Sequence, residues 1–201
     1  SRSSAASDVY KRQDKAKDIS IHYNTNATQL PLHALKNIWP HFKYVDVHFS
    51  IDGLGKHFEY QRHPAKWQDA VANMSVFKEY NSRKFDLRIC HTVDIFNVFY
   101  LPEFLDWSSE FGIPVYLNNL HEPKYYNVST IPYSAKIKIR EKLYNYKKRN
   151  LDSVISFMMN TNTQDSFNEF EKHTKRTDLV RAESFSRTFP ELVSLYKGVT
   201  V

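Results

Sequence analysis

Apolar and polar residues alternate in four short runs along this chain, and stripes of apolar residues at helical spacing fall between the runs. Ile19 to Thr25 (ISIHYNT) alternates and closes in an Asn/Thr turn, which predicts a strand. Leu32 to Phe42 places Leu32, Leu35, Ile38 and Trp39 at helical spacing. Tyr44 to Ile51 (YVDVHFSI) is the clearest strand, ended by Asp52-Gly53. Pro64 to Asn81 predicts a helix with Pro64 in its first position and a stripe of Trp67, Val71, Met74 and Phe77. Phe85 to Val93 is the third strand. Leu101 to Phe111 is a helix closed by Gly112. Ile113 to Leu120 is the fourth strand. Ser134 to Asn150 predicts a long helix, capped by Ser134 and carrying Lys147, Lys148 and Arg149 in its last turn. Leu151 to Val201 reads as two or three short helices.

Strands that alternate with helices imply βαβ units and a parallel sheet. The two faces of each strand differ in character. Val45, Val47, Phe49 and Ile51 oppose Asp46, His48, Ser50 and Asp52; Phe85, Leu87 and Ile89 oppose Asp86, Arg88, Cys90 and Thr92. A sheet covered on both faces by helices would show nearly continuous apolar strands. One helix-covered face and one polar face suit an α/β fold built as a partial (β/α) barrel. A functional site then belongs at the C-terminal strand ends. The expected organisation is a partial barrel over residues 14–150, followed by a small helical extension over 151–201.

Composition narrows the function classes. Of the 201 residues, 28 are Lys or Arg and 22 are Asp or Glu, and hydrophobic residues make up 41%, as in a folded globular chain. No run reaches the ~18 apolar residues of a membrane span. With only 4 glycines, a Gly-rich phosphate loop has no place over most of the chain. Cys90 is the single cysteine, so an intrachain disulfide is excluded and a reducing, cytoplasmic setting is expected. Residues 1–13 (SRSSAASDVYKRQ) lack apolar periodicity, and Ser3 to Gln13 matches an in-frame translation of a transposase sequencing adapter. The segment is therefore expected to be disordered, with natural sequence missing before Asp14. Removing it leaves the chain only mildly basic, which disfavours a nucleic-acid partner.

The densest chemistry is Ser50-Ile51-Asp52-Gly53 with Arg62 ten residues on. A hydroxyl and a carboxylate at a strand end can hold a ribose or an amine, and Arg62 can fork a carboxylate. On spacing alone, an Asp-Gly turn beside a surface Arg reads equally well. His22, His48, His91 and His121 fall one per strand or strand end, but there is no His-x-His pair and no spaced carboxylate partner. They read as hydrogen-bonded histidines, and no metal site is predicted. Cys90 reads as a small buried hydrophobe.

These motifs, taken in order, resemble the radical S-adenosylmethionine family, in particular its phage-type and metagenomic members with a short C-terminal "twitch" extension. Thr25-Asn26-Ala27-Thr28 resembles the family's Thr-Asn-Gly-Thr, with Ala27 in place of Gly. Ser50-Ile51-Asp52-Gly53 resembles its Ser-x-Asp-Gly, and Thr92-Val93 with Asn97 its Thr-Val…Asn. Arg62 stands where the family often has an Arg on the carboxylate of S-adenosylmethionine. The resemblance runs from about Ile19 to Pro132. It implies S-adenosylmethionine contacts from Asn26, Ser50, Asp52, Arg62, Thr92 and Asn97, converging on one rim. It also implies a [4Fe–4S] cluster in an intact parent, and a substrate of unknown identity facing Asp46, His48, Arg88 and Asn118. The family's Cys-x-x-x-Cys-x-x-Cys loop is not in this sequence, so no cofactor is expected on this chain alone. Two other readings stay open: a metal-dependent β/α-barrel hydrolase using His22, His48 and Asp52, and a non-catalytic nucleic-acid-binding module.

Overall fold

A computed structural model describes residues 15–160 and 164–197; the expectation for residues 1–13 falls outside them. Four strands, β1 (Ser20–Thr25), β2 (Tyr44–Ser50), β3 (Phe85–Val93) and β4 (Val115–Asn119), form one parallel sheet in the order β1-β2-β3-β4. Helices connect them: α1 (Leu32–Asn37), α2 (Lys56–Gln61), α3 (Trp67–Glu79) and α4 (Leu101–Phe111). After β4 come α5 (Tyr133–Asn145), α6 (Asp152–Asn160), α7 (Phe167–Arg181), α8 (Phe185–Thr188) and α9 (Pro190–Lys197). The predicted α/β class with a parallel sheet is observed. Among the described residues, no helix is long and apolar enough to cross a membrane.

The alternation in the strands is what the structure buries. Val45, Val47 and Phe49 are buried while Asp46, His48 and Ser50 are half-buried, and Phe85, Leu87, Ile89 and His91 are buried along β3. Gly112 closes α4 at φ 79°, a left-handed conformation that an L side chain resists.

Several boundaries differ from expectation. The helix expected over Leu32 to Phe42 stops at Asn37 and continues as a single 3-10 turn, Trp39–His41. Pro40 is the cause: it disfavours the α conformation of the residue before it and has no N–H to donate. The helix expected from Pro64 begins at Trp67, because residues 62–65 form a turn (Ala65 N to Arg62 O, 2.9 Å) and Glu59 Oε1 accepts from Trp67 N at 3.0 Å. Ser134 lies inside α5 rather than capping it, and α5 ends at Asn145. Lys148 instead reaches Asp106 at 2.9 Å, and Arg149 reaches the Val115 carbonyl at 3.0 Å. Lys147 alone meets the expectation, donating to the Tyr144 carbonyl in the last turn of α5 at 2.7 Å.

The chain divides into two compact units. The first holds residues up to Ser50 together with Gln68–Ile89. Its core stacks Trp39, Phe49 and Phe77, with Phe49 and Phe77 edge to face at 5.1 Å. Ala27 is buried there at φ 62°, and its carbonyl accepts from Asn73 Nδ2 at 2.7 Å. The second unit holds Ile51–Trp67 and everything from Cys90 onward. Its core is aromatic: Tyr60, Phe96, Phe170 and Phe189 pack with Val98, Leu101, Ile139 and Leu192. The helices after α5 thus supply much of that core.

Candidate functional site

The second unit contains a polar cluster built on the turn that follows β2. Asp52 is only 6% exposed. Its Oδ1 accepts from Thr92 N at 2.8 Å, and its Oδ2 is paired with the Arg62 guanidinium. The next residue must be small. A Cβ at Gly53 would stand 3.1 Å from His57 Cβ and 3.1 Å from Phe58 N, closer than side chains normally pack. The backbone therefore runs tight against α2 and then turns at Gly55.

Gln61 locks this turn by donating from Nε2 to the Asp52 carbonyl at 2.9 Å. Asn97 continues the network, donating to Thr92 O at 2.8 Å and to Gln61 Oε1 at 3.3 Å. Asp94 and Asn97 bracket the turn after β3: Asp94 Oδ1 accepts from Phe96 N at 2.8 Å, and Asn97 Oδ1 accepts from Asp94 N at 2.9 Å. Beneath the turn, the buried His91 faces the Ile51 carbonyl through Nδ1 at 3.0 Å. Burial lowers the His91 pKa, so the ring is a neutral imidazole.

A cavity of about 320 Å³ opens over this cluster, with Asp52, Arg62, Thr92 and Asp94 on one side and Tyr126 and Arg181 among its other walls. The Arg62 side chain is 32% exposed, so part of the guanidinium remains available after Asp52 is bound. Arg181 donates to the Tyr60 carbonyl at 3.2 Å. Tyr60 donates to Asp178 at 2.8 Å, and burial together with that carboxylate pushes its phenol well above the ordinary range. The phenol stays protonated at any working pH.

Three of the residues singled out in the sequence, Asp52, Arg62 and Thr92, are brought together here, with Asn97 adjacent. One expected placement changes. Asp52 does not lie on an open polar face; it is buried, and its oxygens serve Arg62 and Thr92. Arg62 follows the last turn of α2. It reaches Asp52 because the short α2 doubles back on the turn. Asn97 is 3% exposed, and both ends of its amide are used internally. Asn118 is exposed on β4.

Asn26, Ser50, Asp46, His48 and Arg88 belong to the first unit. Asn26 Oδ1 accepts from Thr28 N and Thr28 Oγ1, closing a local turn. Arg88 is forked onto Asp86 at 3.0 and 2.9 Å. The carboxylate beside His22 and His48 is Asp46, at 3.1 and 3.0 Å, and not Asp52.

Sequence reasoning missed Gln61, Asp94, Tyr126 and Arg181. The Asp94-x-x-Asn97 spacing is a local signal for a bracketed turn. Arg181 carries no such signal, because the backbone carbonyl it donates to, that of Tyr60, is 121 residues away.

Asp94 yields a pH prediction. Burial, reinforced by the negative charge of Asp52, raises its pKa well above the usual carboxylate range. Between the ordinary value and the raised one, the folded chain holds a proton that the unfolded chain has released. Stability attributable to this group therefore falls as pH rises through that window. Asn at this position keeps the Oδ1 acceptor and cannot ionise. The stability of Asp94→Asn relative to the parent is expected to grow from pH 4 to pH 7, at up to about 1.4 kcal/mol per pH unit. Urea melts at both pH values measure it, and an unchanged gap would contradict the assignment.

No family model, no curated protein and no solved structure matches this chain.

Proposed function

We propose that this chain is part of a radical S-adenosylmethionine enzyme and contributes the turns that hold the amino-acid end of S-adenosylmethionine in a partial β/α barrel. The observation that carries the reading is the Ser50-Ile51-Asp52-Gly53 turn, in which a buried Asp52 anchors Arg62 at the wall of a cavity. Ala27 adds support: it holds a left-handed backbone at the position where the family motif has Gly.

The residues fit one of the family's two cofactors. A guanidinium held on one side by a carboxylate presents its remaining N–H groups in a fixed direction, as a bidentate grip on the ligand carboxylate requires. Asp52 acts as the positioning residue and Arg62 as the contact. Thr92 offers a hydroxyl, and Phe96 and Tyr126 give the cavity aromatic walls. In the family, S-adenosylmethionine supplies hydrogen-atom abstraction once it is reduced. The cluster does not fit: Cys90 is the sole cysteine, and three thiolates are needed. Cysteines outside this sequence would have to supply it, and no step is assigned to it here.

The reading is tested on the full protein encoded by the same gene. It should contain three closely spaced cysteines and, after reconstitution with iron and sulfide, convert S-adenosylmethionine to 5′-deoxyadenosine under strong reductant. A full protein without those cysteines, or one that yields no 5′-deoxyadenosine, overturns it.

A further inference from the structure

We propose that His22, Asp46 and His48, on the polar face of the β1–β2 pair, bind one borderline divalent transition-metal ion of the Zn²⁺, Co²⁺ and Ni²⁺ class. The inference lies within the first unit and does not rest on the radical S-adenosylmethionine reading.

Register places the ligands. The parallel pairing sets His22 opposite Asp46 and Asn24 opposite His48, and the two-residue period of a strand turns all four to one face. His22 Nδ1 lies 3.1 Å from Asp46 Oδ2, and His48 Nε2 lies 3.0 Å from the same oxygen. All three donor atoms fall within 4.8 Å of one another. Metal–ligand bonds of 2.0–2.2 Å in a tetrahedral site imply ligand–ligand separations of about 3.3–3.5 Å. Spreading the present contacts by a few tenths of an ångström would admit the ion.

The hydrogen bonding of His22 favours a cation. Its Nε2 faces Asn24 Oδ1 at 3.1 Å, and a carbonyl oxygen requires Nε2 to carry the proton. In the neutral ring, Nδ1 is then a bare lone pair aimed at a carboxylate oxygen. In that tautomer Nδ1 can ligate an ion that Asp46 Oδ2 also faces. Asn24 would be the outer partner that fixes ring orientation, as carbonyl acceptors do for metal-bound histidines. Asp46 Oδ1 is buried with no hydrogen-bond partner among the described residues, so the carboxylate keeps a second oxygen for an ion. Two imidazoles and one carboxylate select borderline ions over Mg²⁺ and Ca²⁺, which prefer all-oxygen sites. The side chain of His22 is 47% exposed, so an ion has a path in and water can complete the coordination.

The test is calorimetric titration of Zn²⁺ into untagged, chelator-treated protein, beside His22→Gln, Asp46→Asn, His48→Gln and the exposed control His41→Gln. One site is expected, weakened about 100-fold or more by each of the first three substitutions and unchanged by the fourth. Asn24→Ala should weaken it by about 10-fold. Wild-type affinity in both Asp46→Asn and His48→Gln, or no binding to the parent, overturns the proposal. If a variant does not fold, the parent decides: bound Co²⁺ should show the intense visible bands of a four- or five-coordinate ion, and a hexa-aqua spectrum overturns it.

Discussion

Phe189→Ala is expected to cost about 3–5 kcal/mol of folding stability, in the range of other buried Phe truncations. Phe189 is fully buried. Its ring lies 4.8 Å from His57, 5.2 Å from Tyr60, 5.8 Å from Phe96 and 5.3 Å from Phe185. Those neighbours come from α2, the turn after β3, and α8. One deletion therefore opens a cavity touching both the platform of the candidate site and the C-terminal helices. For a chain of this size, each kcal/mol moves the midpoint by roughly 2–4 °C, so a drop of roughly 6–20 °C is expected in a circular-dichroism melt. Phe189→Leu should recover about half, since most of the apolar volume returns. A loss below about 1 kcal/mol would mean that α8 and α9 do not pack where the aromatic cluster places them.

Arg62→Ala should be the second large loss, at about 2–4 kcal/mol. It strands the Asp52 carboxylate in a buried position with Thr92 N as its remaining partner. Breaking a fully buried ion pair costs about 3–5 kcal/mol; Arg62 is partly solvated, which lowers the figure. Arg62→Lys keeps the charge on Asp52 and should retain more than half of the stability. Asp52→Asn should also be the milder change, because an amide oxygen can still accept from Thr92 N. Urea melts of the three variants check the order, and equal losses for Ala and Lys would argue against the ion pair.

The local features were legible and the long-range ones were not. β3 is where its alternation put it, and Gly112 closes α4 because only its own φ decides that end. Pro40 held the information that shortened α1, yet the apolar stripe of Leu35 and Trp39 reads through it. The start of α3 was misplaced because Pro64 resembles a helix start, while the capping of Trp67 depends on Glu59, eight residues earlier. The burial of Asp52 follows from the fold-back of α2 and from Thr92, 40 residues away. The pairing of His22 with Asp46 was not legible, because parity shows which side chains share a face but not the register between strands. The aromatic cluster drew on Tyr60, Phe96, Phe170 and Phe189, which no single periodic stretch connects.

We propose Arg62 as the grip on the carboxylate of S-adenosylmethionine. The most direct measurement is calorimetric titration of S-adenosylmethionine into the cluster-reconstituted full protein, for the parent and for Arg62→Lys. The Lys variant keeps Asp52 paired, so it separates binding from folding. Hydrogen bonds to charged groups contribute about 1.5–3 kcal/mol, and a point charge cannot reproduce the fork. The variant should therefore bind about tenfold more weakly while keeping more than half of the stability that Arg62→Ala loses. Equal affinity in parent and variant would contradict the account.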